Sequence, residues 1–509
     1  MKELLLGIDI GTTGAKVVLL APDGKIIATS TNEYPVYIPK PNWSEQNPGD
    51  WWKATIKGIT QVLKKSHTKP NHIAGIGLTG QMHGLIILDN KKSVLRNCIL
   101  WNDQRTVKEC EEINSLIGPE RMIKIAGKPC LPSFTAGKIL WVKNNEPEIY
   151  KRIAHILLPK DYVRFKLTGN LGMDVADASG TCLFDVAKRD WSEQIINGLK
   201  INRDWLPPIF ESPAVCGYIS KSAAKLTGLK QGTPVIAGAG DQAAQAIGTG
   251  IYEPGTVSVT IGTSGVVFAA IDRYQYDSTG RLHTYCHATF DMWHLMGVML
   301  SAGGSLRWCR DLLYKNEKRY AEKQGIDIYD MMTKEAGKIP PGAEGLLFLP
   351  YLSGERTPHP DPYARGVFFG LSLKHSRPHL TRAVIEGITF GLKDCLELLN
   401  GMGIRFNRVR VSGGGAKSLL WRKIMANVFN LDIVTVNATE GAAFGAALLA
   451  GVGTGVYKDA KEGCRKTIYE TGITKPHKNA EIYQKCYKLY RALYPAVREY
   501  FRDLSKIAE

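Results

Sequence analysis

The amino-acid sequence predicts an α/β protein made of two similar domains facing each other across a cleft. Three observations carry this. The motif Ile10-Gly11-Thr12-Thr13-Gly14 returns as Ile261-Gly262-Thr263-Ser264-Gly265, about half a chain later. Both copies lie between apolar runs with strand character. The length, 509 residues, favours two or more separate cores. We expect residues 1–250 to form the first domain, and residues 251–509 the second with a helical C-terminal tail.

Residues 4–10 read as a buried strand that runs into Gly11–Gly14. A second strand follows at 16–21, Pro22-Asp23-Gly24 makes a turn, and residues 25–30 continue as a third strand. Residues 50–65 carry Trp52, Ile56, Ile59 and Leu63 at helical spacing. Strands are expected at 73–78, 85–88 and 235–237, the last before a helix of small residues. Residues 256–271 repeat the strand, glycine turn, strand pattern. Residues 409–411 form a strand ending in Gly413-Gly414-Gly415, with a helix from about Leu419. Residues 442–450, rich in Ala and Gly, are too short to span a membrane and read as a closely packed helix. Near the C-terminus, Ile482, Tyr483, Cys486, Tyr487, Tyr490, Leu493 and Tyr494 share one helical face, a packing stripe. The alternation of strands and helices is that of an α/β fold.

Composition excludes several classes. Hydrophobic content of 44% and charged content of 22% are those of a soluble globular protein. The N-terminal apolar run ends at Asp9 and is too short for a signal peptide. Ten cysteines form no CxxC pair and no zinc spacing. They are expected as reduced thiols in a cytoplasmic protein. The net charge of +17 is spread along the chain, with no basic run interleaved with aromatics. It reads as a solvated basic surface, with neither nucleic acid nor membrane as partner, and it suits an anionic substrate. A homodimer is left open.

Gly-Thr-Thr-Gly between strands offers backbone N–H groups and hydroxyls to phosphate. It is not a P-loop, which opens a helix and carries a lysine. One copy alone reads more readily as an ordinary hairpin turn; two copies, with Asp9, read as two loops gripping one polyphosphate. Asp9, at the end of a buried strand, can hold Mg²⁺ or cap the turn; the second copy has Thr260 in its place. Asp241 lies between a strand and a helix, suited both to cap the helix and to accept a proton from a substrate hydroxyl. Gln242 is then placed to hydrogen-bond a polyol. Gly413-Gly414-Gly415 reads as a close approach to adenosine or as a plain loop. His83, in Gly80-Gln81-Met82-His83-Gly84, reads as a sugar ligand or as a structural histidine.

Together these features resemble the FGGY carbohydrate kinases over nearly the full chain. SFTAGKILWVKNN (residues 133–145) and GVFFGLSLKHSRPHLTRAVIEGITFG (residues 366–391) look like the two family patterns. The segments WSEQNP, GQMHG, LWNDQR, LPKDY and LPYLSGERTPHPDP look like the members that phosphorylate D-xylulose. The resemblance implies two actin-like, ribonuclease-H-like ATPase domains, with ATP and Mg²⁺ as cofactors and a small sugar as substrate. It implies Asp241 as catalytic base and Asp9 serving the metal. Met82, His83, Gln242, Trp101 and Asp103 would meet the sugar. Thr12, Thr13, Gly262 and Thr263 would contact phosphates. Gly414, Gly415 and Gly303 would lie at the adenosine. Gln242 stands where many members acting on xylulose have Asn.

Overall fold

Each strand–glycine–strand motif starts a sheet, and the two sheets follow one plan. The computed structural model describes residues 3–438, 440–477 and 480–508. It divides into two compact units. The first comprises Met1–Glu253, Ala270–His294 and Ala438–Tyr469; the second comprises Pro254–Ala269, Leu295–Asn437 and Glu470–Glu509. The division at Glu253/Pro254 lies close to the expected boundary after residue 250. The segments Ala270–His294 and Ala438–Tyr469, expected in the second domain, belong to the first unit.

In the first unit the sheet strands are β1 (Leu4–Ile10), β2 (Gly14–Leu20), β3 (Ile26–Glu33), β4 (Ile73–Gly80), β5 (Val215–Tyr218) and β6 (Pro234–Ile236). Their order is β3-β2-β1-β4-β6-β5. β1 is antiparallel to β2 and parallel to β4, β4 is parallel to β6, and β6 is antiparallel to β5. The second unit contributes β7 (Gly255–Ile261), β8 (Gly265–Ile271), β9 (Trp293–Met299), β10 (Phe406–Gly413), β11 (Asp432–Val436) and β12 (Glu470–Thr474). These run β9-β8-β7-β10-β11-β12. β7 is antiparallel to β8 and parallel to β10, β10 is parallel to β11, and β11 is antiparallel to β12. The shared succession of neighbours and directions is what duplication of one unit produces.

Alternation along β1 sends Leu6, Ile8 and Ile10 into one core and Leu5 into another. The first core is closed by α1 (Pro48–Ser66), which starts on a proline after the Asn47 cap and ends at His67 in the left-handed region. Its buried face is Trp51, Ala54, Thr55, Gly58, Ile59 and Val62. Of the residues expected there, Ile59 is buried, while Trp52, Ile56 and Leu63 are half-buried at its margins.

The other face of the sheet takes two helices, α2 (Asp241–Gly248) and α3 (Gly441–Gly453). α3 is the Ala/Gly helix, and it packs closely, as expected. A Cβ on Gly7 would lie 1.9 Å from the Ala443 carbonyl oxygen, and one on Gly77 1.9 Å from that of Ala446. Gly445 meets α2 in the same way, 1.8 Å from the Ala244 oxygen. The C-terminal helix, α4 (Ala480–Ala508), buries Tyr483, Tyr487, Tyr490, Leu493 and Tyr494. Ile482, expected in that stripe, is exposed. Among the described residues no helix is long and apolar enough to cross a membrane.

Candidate active site

Three parallel segments end together in the first unit. Asp9 on β1 is in register with Thr79 on β4, and Thr79 is in register with Ala239. Gly240 then caps α2, and Asp241 is its first residue. This juxtaposes Asp9 and Asp241 at the carboxyl ends of parallel strands, where α/β sheets characteristically bind ligands. Asp241 is therefore not the helix cap, one of the two readings its sequence position allows. Its Oδ1 accepts a hydrogen bond from Gln242 Nε2 at 3.3 Å. Burial, and secondarily the negative charge of Asp9, push its carboxyl up to about 7. Asp9 is pushed up to about 6 by burial, opposed by the Lys16 ammonium.

Asp9 Oδ1 is buried with no hydrogen-bond partner, and so is Thr79 Oγ1 on the adjoining strand. A carboxylate oxygen left in that state fits a hard cation, which Mg²⁺ satisfies with few protein ligands, completing its shell with water and phosphate. Among the described residues no group of three His, Cys, Asp or Glu gathers to make an all-protein metal cage.

Met82 lies against this end of the sheet. A Cβ on Gly240 would meet its Cγ at 2.9 Å, and one on Gly180 would meet its Cε at 3.2 Å. His83 follows with φ 69°, a left-handed conformation rare outside glycine and Asn or Asp. Its ring stands edge-on to Phe134 at 4.9 Å.

The first glycine loop is tied by polar side chains. Trp101 Nε1 donates to Thr12 Oγ1 at 3.0 Å, and Gln46 Nε2 donates to the Thr12 carbonyl at 2.7 Å. Gln81 Nε2 donates to Gln46 Oε1 at 2.7 Å, and Tyr34 OH to the Gly11 carbonyl at 2.5 Å. Thr13 is exposed. Trp101 is thus beside the loop, partly exposed. Asp103, expected at the sugar, has no exposed surface. Its carboxylate accepts from the Ser44 amide at 2.6 Å and from Arg105 at 2.7 to 3.0 Å. It serves to fasten this segment; Arg105 is a local partner, whereas Ser44 is distant in the sequence.

The second unit holds a cavity of about 350 Å³. Its lining includes Gly262, Thr263, Gly303, Gly414 and Gly415, all expected at the nucleotide. β7 and β10 end in register at Ile261 and Gly413, so the loops after them are neighbours. The helix Gly303–Leu313 begins against the first of these loops. Gly303 N donates to the Gly262 carbonyl at 2.9 Å, and a Cβ on Gly303 would lie 2.4 Å from that oxygen. Arg307, Asp327, Tyr329, Asp330, Lys417 and Trp421 are also part of the wall. None of these was singled out from sequence; Arg307, Lys417 and Trp421 follow the glycines closely in the chain, whereas Asp327, Tyr329 and Asp330 come from a separate segment.

The N-terminal domain model of the FGGY family of carbohydrate kinases matches residues 4–248, and its C-terminal domain model matches residues 257–454. The chain belongs to the FGGY family of carbohydrate kinases. It is 38% identical over 498 residues to a xylulose kinase of Bacillus subtilis, covering 98% of each chain. The crystal structure of a ligand-bound xylulose kinase from Lactobacillus acidophilus superimposes with a TM-score of 0.91 at 29% identity, over 98% of this chain and 99% of that one. A gluconate kinase from the same organism gives 0.92 at 29% identity, over the same shares. The two-unit architecture is accordingly the actin-like FGGY kinase fold. Fold likeness does not separate the two sugars, because both neighbours superimpose equally well.

Proposed function

We propose that the chain transfers the γ-phosphoryl group of ATP to D-xylulose, giving D-xylulose 5-phosphate and ADP. The observation that carries the reaction class is Asp241, a largely enclosed carboxylate at the strand ends beside Asp9, titrating at about 7. A general base works best when its pKa lies near the operating pH. Support for the sugar comes from the Gly80–Gly84 segment and from the B. subtilis relative.

In this mechanism Asp241 takes the proton of the C5 hydroxyl as that oxygen attacks the γ-phosphorus. The new O–P bond forms in line while the bond to the bridging oxygen breaks, and ADP leaves with the electron pair. Gln242 Nε2 orients the Asp241 carboxylate and reaches toward the polyol. Met82 and His83 line the sugar. The N–H groups and hydroxyls of Thr12, Thr13, Gly262 and Thr263 bind phosphate oxygens. Gly303, Gly414 and Gly415 let the adenosine approach the backbone. Asp9 would hold Mg²⁺, which supplies positive charge to the phosphate oxygens when bound. Positioning and electrostatics thus share the rate enhancement with the base.

A second reading, phosphorylation of gluconate, is favoured by the likeness to a gluconate kinase. ADP release followed by a coupled assay decides between them, using D-xylulose, ribulose, glycerol and gluconate at equal concentrations. D-xylulose should give the highest kcat/KM. A higher value for gluconate would replace xylulose while keeping the kinase. ATP binding with no sugar-dependent ADP release would make the chain a non-catalytic binder.

A further inference from the structure

We infer that two buried lysines, Lys138 and Lys128, are positioning residues of the sugar site that act through His83. The inference rests on the reading of Met82 and His83 as sugar-lining residues. His83 is held in its left-handed conformation by its own carbonyl. That oxygen accepts from Lys138 Nζ at 2.7 Å and from Thr135 Oγ1 at 3.2 Å. Lys138 Nζ also donates to the Ser133 carbonyl at 2.8 Å, so it joins the His83 turn to the start of the helix Thr135–Asn145.

Lys128 fastens what surrounds the imidazole. Its Nζ donates to the carbonyls of Ala126 and Ser179, both at 2.7 Å, and of Thr284 at 3.2 Å. Ser179 precedes Gly180, where a Cβ would lie 2.5 Å from His83 Nδ1. Thr284 precedes Tyr285, whose ring stacks over His83 at 6.4 Å and carries Lys128 Nζ 3.9 Å from its centroid. Phe134, edge-on to His83, adjoins both Ser133 and Thr135. The segments that carry Phe134, Gly180 and Tyr285 are therefore each tied by one ammonium or the other.

Both lysines have no exposed surface. Carbonyl oxygens are their hydrogen-bond partners, and no carboxylate pairs with either ammonium among the described residues. Burying a cation with no carboxylate in contact carries a desolvation penalty that a methionine of similar length would avoid, and Lys138 has only the more distant charge of Asp103 to offset it. A methionine lacks the donors that fix several carbonyls at once. That is the property expected of a side chain that sets the place of its neighbour rather than one that fills a core.

The test is steady-state kinetics on His83→Ala, Lys138→Met, Lys128→Met, Thr135→Val and the double variant His83→Ala/Lys138→Met. His83→Ala should raise the KM for D-xylulose about tenfold or more, the usual effect of losing one good polar contact. Lys138→Met and Lys128→Met should each raise it by a similar factor, with the KM for ATP within about twofold of wild type. Thr135→Val, which keeps every charge, should give a smaller rise in the same direction. On the His83→Ala background, Lys138→Met should add less than about twofold, because residues acting as one unit are not additive. If His83→Ala raises the sugar KM while Lys138→Met leaves it unchanged, or if the two effects multiply, the positioning role is overturned and the sugar site stands. If Lys138→Met does not fold, an unchanged sugar KM in Thr135→Val overturns it. An unchanged KM in His83→Ala overturns the reading of the sugar site and this inference with it.

Discussion

Replacing Asp241 by Asn should abolish most activity and yet stabilise the protein above neutral pH. The carboxyl stands at about 7 in the folded protein against an ordinary 3.8, chiefly because of burial. At 1.36 kcal/mol per decade this corresponds to about 4 kcal/mol of lost stability once the group is ionised. Asp241 keeps some solvent exposure as a residue, so about 2–4 kcal/mol is the working range. The raised carboxyl fixes the sign. Below about pH 4 the group is protonated whether the chain is folded or unfolded, and the penalty is absent. Between about 4 and 7 the folded protein holds a proton that the unfolded chain has released, so stability falls as pH rises. Above 7 the full penalty applies. Asn carries none of it. Thermal melts of wild type and Asp241→Asn should be recorded in EDTA from pH 5 to 9. The variant should gain relative to wild type steadily up to pH 8, by several degrees in Tm, while kcat falls by about 10²–10⁴. A Tm difference that does not change with pH would show that burial does not strain this carboxylate. A folded variant with near-normal turnover would remove Asp241 from the chemistry.

Three further outcomes are expected. The kcat/KM for sugar should fall about tenfold per pH unit on the acid side as Asp241 takes up its proton, and a flat acid limb would detach it from proton transfer. Asp9→Asn should need more Mg²⁺ for half-maximal rate, checked by Mg²⁺ titration of ADP release, and an unchanged requirement would detach Asp9 from the metal. Gly7→Val should cost about 3 kcal/mol or more in stability, or prevent folding, because its first side-chain atom would sit 1.9 Å from the Ala443 oxygen; urea unfolding followed by circular dichroism is the check.

The glycine loops were legible because they are local: a strand, a tight turn and a strand write themselves in consecutive residues. Their second occurrence made the shared sheet plan legible too. Asp9 and Asp241 could be read as candidates for the same reason, since each sits at a strand end. What remained hidden depended on distant partners. Asp103 looks like a free acid until the distant Ser44 amide donates to it, beside the nearby Arg105. Thr79 is one more strand residue until its register with Asp9 leaves its hydroxyl unpartnered beside that carboxylate. Tyr329 reaches the cavity lined by Gly303 and Gly414 from a separate helix, Ile328–Ala336. The Ala/Gly helix announced close packing through its composition, but not the surface it would close on.

That surface has a consequence for how the protein is made. The face of the first sheet that presents Gly7 and Gly77 is covered by Gly441–Gly453, which leaves the ribosome last but for the C-terminal tail. Synthesis at roughly 5–20 residues per second therefore leaves a nascent first unit without its cover while most of the remaining chain is still being translated. Throughout that interval its apolar floor, with Leu5, Leu20 and Ile236, has only α2 of its two covering helices. A fragment ending before Ala438 would stay permanently in that state. The compact unit that contains Asp9 therefore draws on three stretches of the chain, the last of them ending at Tyr469.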